Sequence, residues 1–89
     1  MKELSQLRQE IDTLDHEIMK LFSQRMECVK QVGEYKRAHG IAVIDNTRWN
    51  AVLSNKIELA KSMGLDTSMV TDIYNRIHQA AIELENTLQ

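Results

Sequence analysis

The sequence predicts an all-α chain of three helices, and three observations carry that prediction. No proline interrupts the 89 residues and only three glycines do. Apolar residues recur at three- and four-residue spacing along three separate stretches. A glycine and a capping candidate stand between each stretch and the next.

The first stretch carries Leu4, Leu7, Ile11, Leu14, Ile18 and Leu21, then Cys28, Val32 and Tyr35, in the alternating spacing of a heptad seam. It ends near His39 and Gly40, where glycine suits the left-handed residue that closes a helix. Asp45 or Thr47 caps a second helix bearing Trp49, Val52, Leu53, Ile57 and Ala60, which stops at Met63 and Gly64. Asp66 or Thr67 caps a third, whose apolar face runs Val70, Ile73, Ile77, Ala80, Ala81, Leu84 and Leu88. There is no internal repeat, linker or low-complexity tract, so residues 1–89 form a single domain.

The length of the first helix sets the architecture. Residues 4 to 39, at about 1.5 Å per residue, make a rod of roughly 54 Å. A compact chain of this size has a radius of gyration of about 12 Å and a diameter of about 31 Å. The rod overshoots its own domain, and its seam needs a cover along nearly its whole length. A second copy of the chain is the simplest cover, so an intertwined homodimer is expected.

Composition excludes several function classes. Lys plus Arg is 11 against 13 for Asp plus Glu, so no bulk attraction to nucleic acid or anionic membrane is expected, and any anion site must be local. No apolar run approaches the ~20 residues that span a bilayer. The N-terminus Met1-Lys2-Glu3-Leu4-Ser5 lacks an export signal's apolar core, and the lone Cys28 cannot close an intramolecular disulfide, which together favour the cytoplasm. His16, His39 and His78 lack the spacing and company of a metal site, and no glycine-rich phosphate loop is present, so neither metal nor cofactor is expected. Cys28, on the seam, reads as a small apolar filler.

Two cations stand out. Continuing the seam past Leu21 lands on Arg25, whose helical neighbours Leu21, Phe22, Cys28 and Val29 include no acid. Lys36 has Val32, Gly33, His39 and Gly40 at the same distances and no acid either, whereas Lys30 has Glu27 and Glu34 and reads as solvated. Arg25 and Lys36 lie eleven residues apart, which returns to within about 20° of one face and separates their Cα atoms by roughly 16 Å. They could converge on one anion, or Arg25 could snorkel or pair with a carboxylate of another helix. Gly33, between them, either opens room for a ligand or lets another helix pack closely. Arg8 has Asp12 one turn on and reads as a surface ion pair; some 25 Å along the axis from Arg25, it could join the same site only from another copy. By spacing alone Arg48 pairs with Asp45 at a helix start, Glu85 is a solvated acid, and Trp49 and the methionines belong to the core.

These residues resemble a known family over nearly the whole chain, the all-α (AroQ class, type II) chorismate mutases. The resemblance is carried by Leu7-Arg8-Gln9-Glu10-Ile11-Asp12, Leu21-Phe22-Ser23-Gln24-Arg25-Met26, Val32-Gly33-Glu34-Tyr35-Lys36, Asp45 to Arg48, and Ile77-His78-Gln79 to Glu85, in that order and spacing. It implies an isomerase of aromatic amino acid biosynthesis that rearranges chorismate to prephenate without a cofactor. It also implies that Arg25 grips one substrate carboxylate, that Arg8 of the partner subunit grips the other, and that Lys36 contacts a carboxylate and the ether oxygen. Asp45 and Arg48 match positions that line or organise the pocket. Trp49 stands where a glutamate often contacts the substrate hydroxyl, and Ala81 replaces a frequent serine. Glu85 stands where many members carry a glutamine that donates to the ether oxygen, a role a glutamate fills only when protonated. Because Trp49 removes the hydroxyl's partner, an isochorismate-pyruvate lyase or a mutase of amino-substituted chorismate is the alternative on this fold, and a non-catalytic helical dimerisation module is the alternative outside it.

Overall fold

Helix α1 spans Leu4–His39, α2 Asn46–Ser62 and α3 Thr67–Thr87, with no strand, in a computed structural model that describes residues 1–89. Each boundary has a local cause. Glu3 and Gln6 form a reciprocal capping box at the start of α1. Gly40, at φ 63°, ends it, and the Ile41 amide reaches back to the Lys36 carbonyl at 2.9 Å. Of the alternative caps, Asp45 begins α2 by accepting from the Arg48 amide at 3.0 Å. Asp66 begins α3, accepting from Ser68 and Met69 at 2.8 and 3.3 Å.

The molecule measures 56 × 24 × 15 Å with a radius of gyration of 16.4 Å, well above the ~12 Å of a compact chain this long. α3 packs against both α1 and α2. The amino-terminal half of α1 packs against nothing in the chain. Leu4, Leu7, Ile11, Leu14, Ile18 and Leu21 are each between 42% and 61% exposed, and no large side chain is fully buried. The buried apolar residues are Ala60, Val70 and Ala81. A single copy therefore leaves its main seam in water, a large apolar stripe of the kind that marks an interaction surface. Cys28, expected as a filler, is exposed, and Met19, Met63 and Met69, expected in the core, are exposed as well. Cys28 fits a core only if something covers α1, whereas Met63, at the end of α2, and Met69, on the first turn of α3, are surface residues rather than core.

Gly33 decides how closely α1 approaches α3. A Cβ there would lie 2.8 Å from Leu88 Cδ1 and 3.3 Å from Glu85 Cα, so of the two readings of this glycine the close helix crossing is the one observed. Gly33→Ala gains up to ~1 kcal/mol of helix propensity but overpacks the crossing at a typical cost of about 1–3 kcal/mol. A net loss of about 1 kcal/mol is expected, read as a lower urea midpoint at unchanged slope. An unchanged or higher midpoint would show that the crossing yields freely.

Candidate active site

The three helices and the loop between α1 and α2 enclose a cleft of about 190 Å³. α1 contributes Arg25, Val29, Val32 and Lys36, the loop Val43 and Asp45, α2 Arg48, Trp49 and Val52, and α3 His78, Ala81 and Glu85. Seven of the eight residues singled out from the sequence thus line one cavity. The eighth, Arg8, lies in the exposed half of α1 about 25 Å along the axis from Arg25. It forms no ion pair with Asp12, so the surface pair expected from spacing is absent.

Arg25 is the clearest anomaly. Its Nη1 is buried with no hydrogen-bond partner, a state that costs roughly 1–3 kcal/mol or more for a charged group unless an acceptor arrives. The expectation for Lys36 requires correction. It has no acid on its own helix, yet it is not unpaired: its Nζ lies 2.8 Å from Glu85 Oε1 and donates to the Val43 carbonyl at 2.7 Å. Glu85, expected to be solvated, is 7% exposed. Its Oε1 makes no aligned hydrogen bond, so its contact with Lys36 is an ion pair with bonding capacity left for a guest. Gly33 lets α3 come close enough to place this carboxylate, since a Cβ there would sit 3.3 Å from Glu85 Cα and Cγ.

The Asp45 carboxylate caps the Arg48 amide rather than pairing with the guanidinium. Three cations, Arg25, Lys36 and Arg48, consequently face two acids, one of them spent as a cap. The arrangement suits a small ligand with more than one negative charge and an apolar body, for which Val29, Val32, Val43, Val52 and Ala81 supply the walls.

Sequence reasoning missed His78. It stacks on Trp49 with ring centroids 3.9 Å apart and planes 4° apart. Burial pushes its imidazole below the ordinary value; Glu85 pulls it up, and Arg25 and Lys36 push it down. The available signal was spacing: His78, Ala81 and Glu85 fall three and seven residues apart, on one face of α3. Trp49, expected in the core by spacing, is half-buried and lines the cleft.

Comparison with known proteins agrees with the geometry. The family model described as "Chorismate mutase type II" matches residues 7–86. A T-protein of Haemophilus influenzae is 35% identical over 86 residues, covering 97% of this chain and 23% of that protein. A chorismate mutase of Methanocaldococcus jannaschii is 29% identical over 89 residues, covering all of this chain and 86% of that protein. A 4-amino-4-deoxychorismate mutase of Streptomyces venezuelae is 29% identical over 75 residues, covering 84% and 73%. The chain spans about a quarter of the length of the T-proteins and the bifunctional chorismate mutase/prephenate dehydratase it matches. No helix is long and apolar enough to cross a membrane. With an all-helical fold, a cationic cleft and a family match over most of its length, the chain belongs to the chorismate mutase type II family.

Proposed function

We propose that the chain catalyses the intramolecular [3,3] rearrangement of chorismate to prephenate, a step of aromatic amino acid biosynthesis, as a homodimer in the cytoplasm. The observation that carries this reading is the buried, partnerless Arg25 Nη1 in a cleft that also holds Lys36, because such a donor calls for a ligand carboxylate. The reaction breaks a C–O bond and forms a C–C bond within one molecule. It needs no nucleophile or base, so catalysis consists of holding the reactive conformer and stabilising negative charge on the ether oxygen. Arg25 clamps one carboxylate. Arg8 reaches the other from the partner subunit, across the exposed seam that the second copy covers. Lys36 and Glu85, 2.8 Å apart, face the ether oxygen. Arg48 and Asp45 shape the mouth of the cleft, and Trp49 and Ala81 form walls.

A second reading on the same fold is favoured by Trp49, which offers no carboxylate to the substrate's ring hydroxyl; it is a mutase of 4-amino-4-deoxychorismate, the activity named for the Streptomyces relative. One assay separates these readings. Purified protein is added to chorismate, to 4-amino-4-deoxychorismate and to isochorismate, loss of ultraviolet absorbance is followed, and products are identified by mass. Prephenate from chorismate at the highest kcat/KM is the expected result. Faster turnover of the amino analogue would move the assignment, pyruvate release from isochorismate would make the protein a lyase, and no turnover of any of the three would leave a helical dimerisation module.

A further inference from the structure

We infer that His78, held in place by Trp49, is a carboxylate-binding residue of the cleft, and that its imidazole takes up a proton as the dianionic substrate binds beside Arg25. The inference deepens the function proposed above and rests on it for the identity of the dianion.

The chain direction places the two residues together. α1 and α3 run the same way along their contact: Phe22, Arg25 and Met26 meet Arg76, Ile77 and Ala80, while further on Gly33 meets Glu85 and Leu88. Arg25 and His78 therefore share one end of the cleft, and Lys36 and Glu85 share the other. Stacking at 3.9 Å and 4° fixes the imidazole plane against the indole. It leaves the ring edge free, and no protein group hydrogen-bonds either ring nitrogen. A carboxylate that takes the orphaned Arg25 Nη1 has a second oxygen to place at the same end, where that imidazole edge is unpaired.

Charge supplies the proton linkage. The groups that face His78 are Arg25 and Lys36 from α1, Asp45 and Arg48 from the start of α2, and Glu85 on α3 itself. In the empty cleft, burial and the two α1 cations hold the imidazole below its ordinary value against the pull of Glu85, so it is neutral near pH 7. A bound dianion places one carboxylate beside the ring and a second within the same cleft, and so reverses that balance. The indole face also favours the charged ring over the neutral one.

The test uses the whole chain and prephenate as the dianion. The His78 Cε1 proton is followed by NMR from about pH 5 to 8 with and without saturating prephenate, and is identified among the three histidines by its loss in His78→Phe. Its midpoint should rise by about one unit or more on binding, which corresponds to about tenfold tighter prephenate binding at low pH than at high pH. That pH dependence of Kd should vanish in His78→Phe and in His78→Gln, which retains a hydrogen-bonding amide, and should persist in Glu85→Gln. An unmoved midpoint, or the same pH dependence in both His78 variants, overturns the inference. Wild-type protein that neither converts chorismate nor binds prephenate overturns the proposed function and this inference with it, whereas one that does both while His78 stays unmoved overturns this inference alone.

Discussion

Arg8→Ala and Lys36→Ala proteins should each be nearly inactive, and mixing them in equal amounts through unfolding and refolding should restore about a quarter of wild-type activity. For Lys36 the loss follows from electrostatics, since removing one donor aimed at developing charge typically costs about 100- to 1,000-fold in rate; for Arg8 it follows from losing one of the two carboxylate clamps that hold the reactive conformer. The recovery follows from geometry. Arg8 lies about 25 Å along α1 from Arg25, on the half of the helix that packs against nothing in its own chain, so a site that uses both must draw them from two copies. Half of randomly reassembled dimers contain one chain of each kind. In every such dimer one site has neither residue and the other has both. The measurement is kcat/KM per site, with heterodimer content fixed by mass spectrometry of differently labelled chains. Heterodimers that form and remain inactive would remove Arg8 from the site.

A separate substitution tests the apolar stripe. If Leu4 to Leu21 are the dimer seam, Leu14→Glu should place a charge in an otherwise apolar contact. The expected result is monomer, seen as halved mass in light scattering, together with lost activity.

The sequence made the helices legible because helix formation is decided locally. The proline-free stretches, the caps at Asp45 and Asp66 and the stop at Gly40 lie where residue type predicts them. The overshooting first helix was equally legible, since rise per residue alone fixes its length. Contacts between helices were not. Spacing rules see partners three and four residues away, so they left Lys36 without an acid, while the structure supplies Glu85 from 49 positions further along the chain. Gly33 showed only that a side chain was missing; that the gap admits α3 and positions Glu85 emerges from the crossing itself. His78 failed a metal test it was never built to pass. Its partner Trp49 lies on another helix, and no periodicity joins them.

Glu85→Ala should lower kcat/KM by about 100- to 1,000-fold, while Glu85→Gln should retain or exceed wild-type activity at neutral pH. Glu85 is buried at 7% exposure beside Lys36 and is set there by the close approach of Gly33. Next to the ether oxygen an ionised carboxylate would oppose the charge that develops there and partly cancel the ammonium that stabilises it. A protonated carboxyl would instead donate a hydrogen bond. Glutamine donates through its amide at every pH and still offers Lys36 a carbonyl acceptor, whereas alanine removes the donor and leaves the Val43 carbonyl, at 2.7 Å, as the ammonium's remaining contact. The effect belongs in kcat, because the interaction strengthens only as the bond stretches, and this separates it from His78, whose influence belongs in binding. At neutral pH kcat for Glu85→Gln should therefore match or exceed that of wild type, while Glu85→Ala loses kcat with little change in KM, all three measured where circular dichroism shows them folded. A Glu85→Gln protein with kcat far below wild type would sink the donor role. A fully active Glu85→Ala would take Glu85 out of the reaction altogether and leave Lys36 as the one group acting on the ether oxygen.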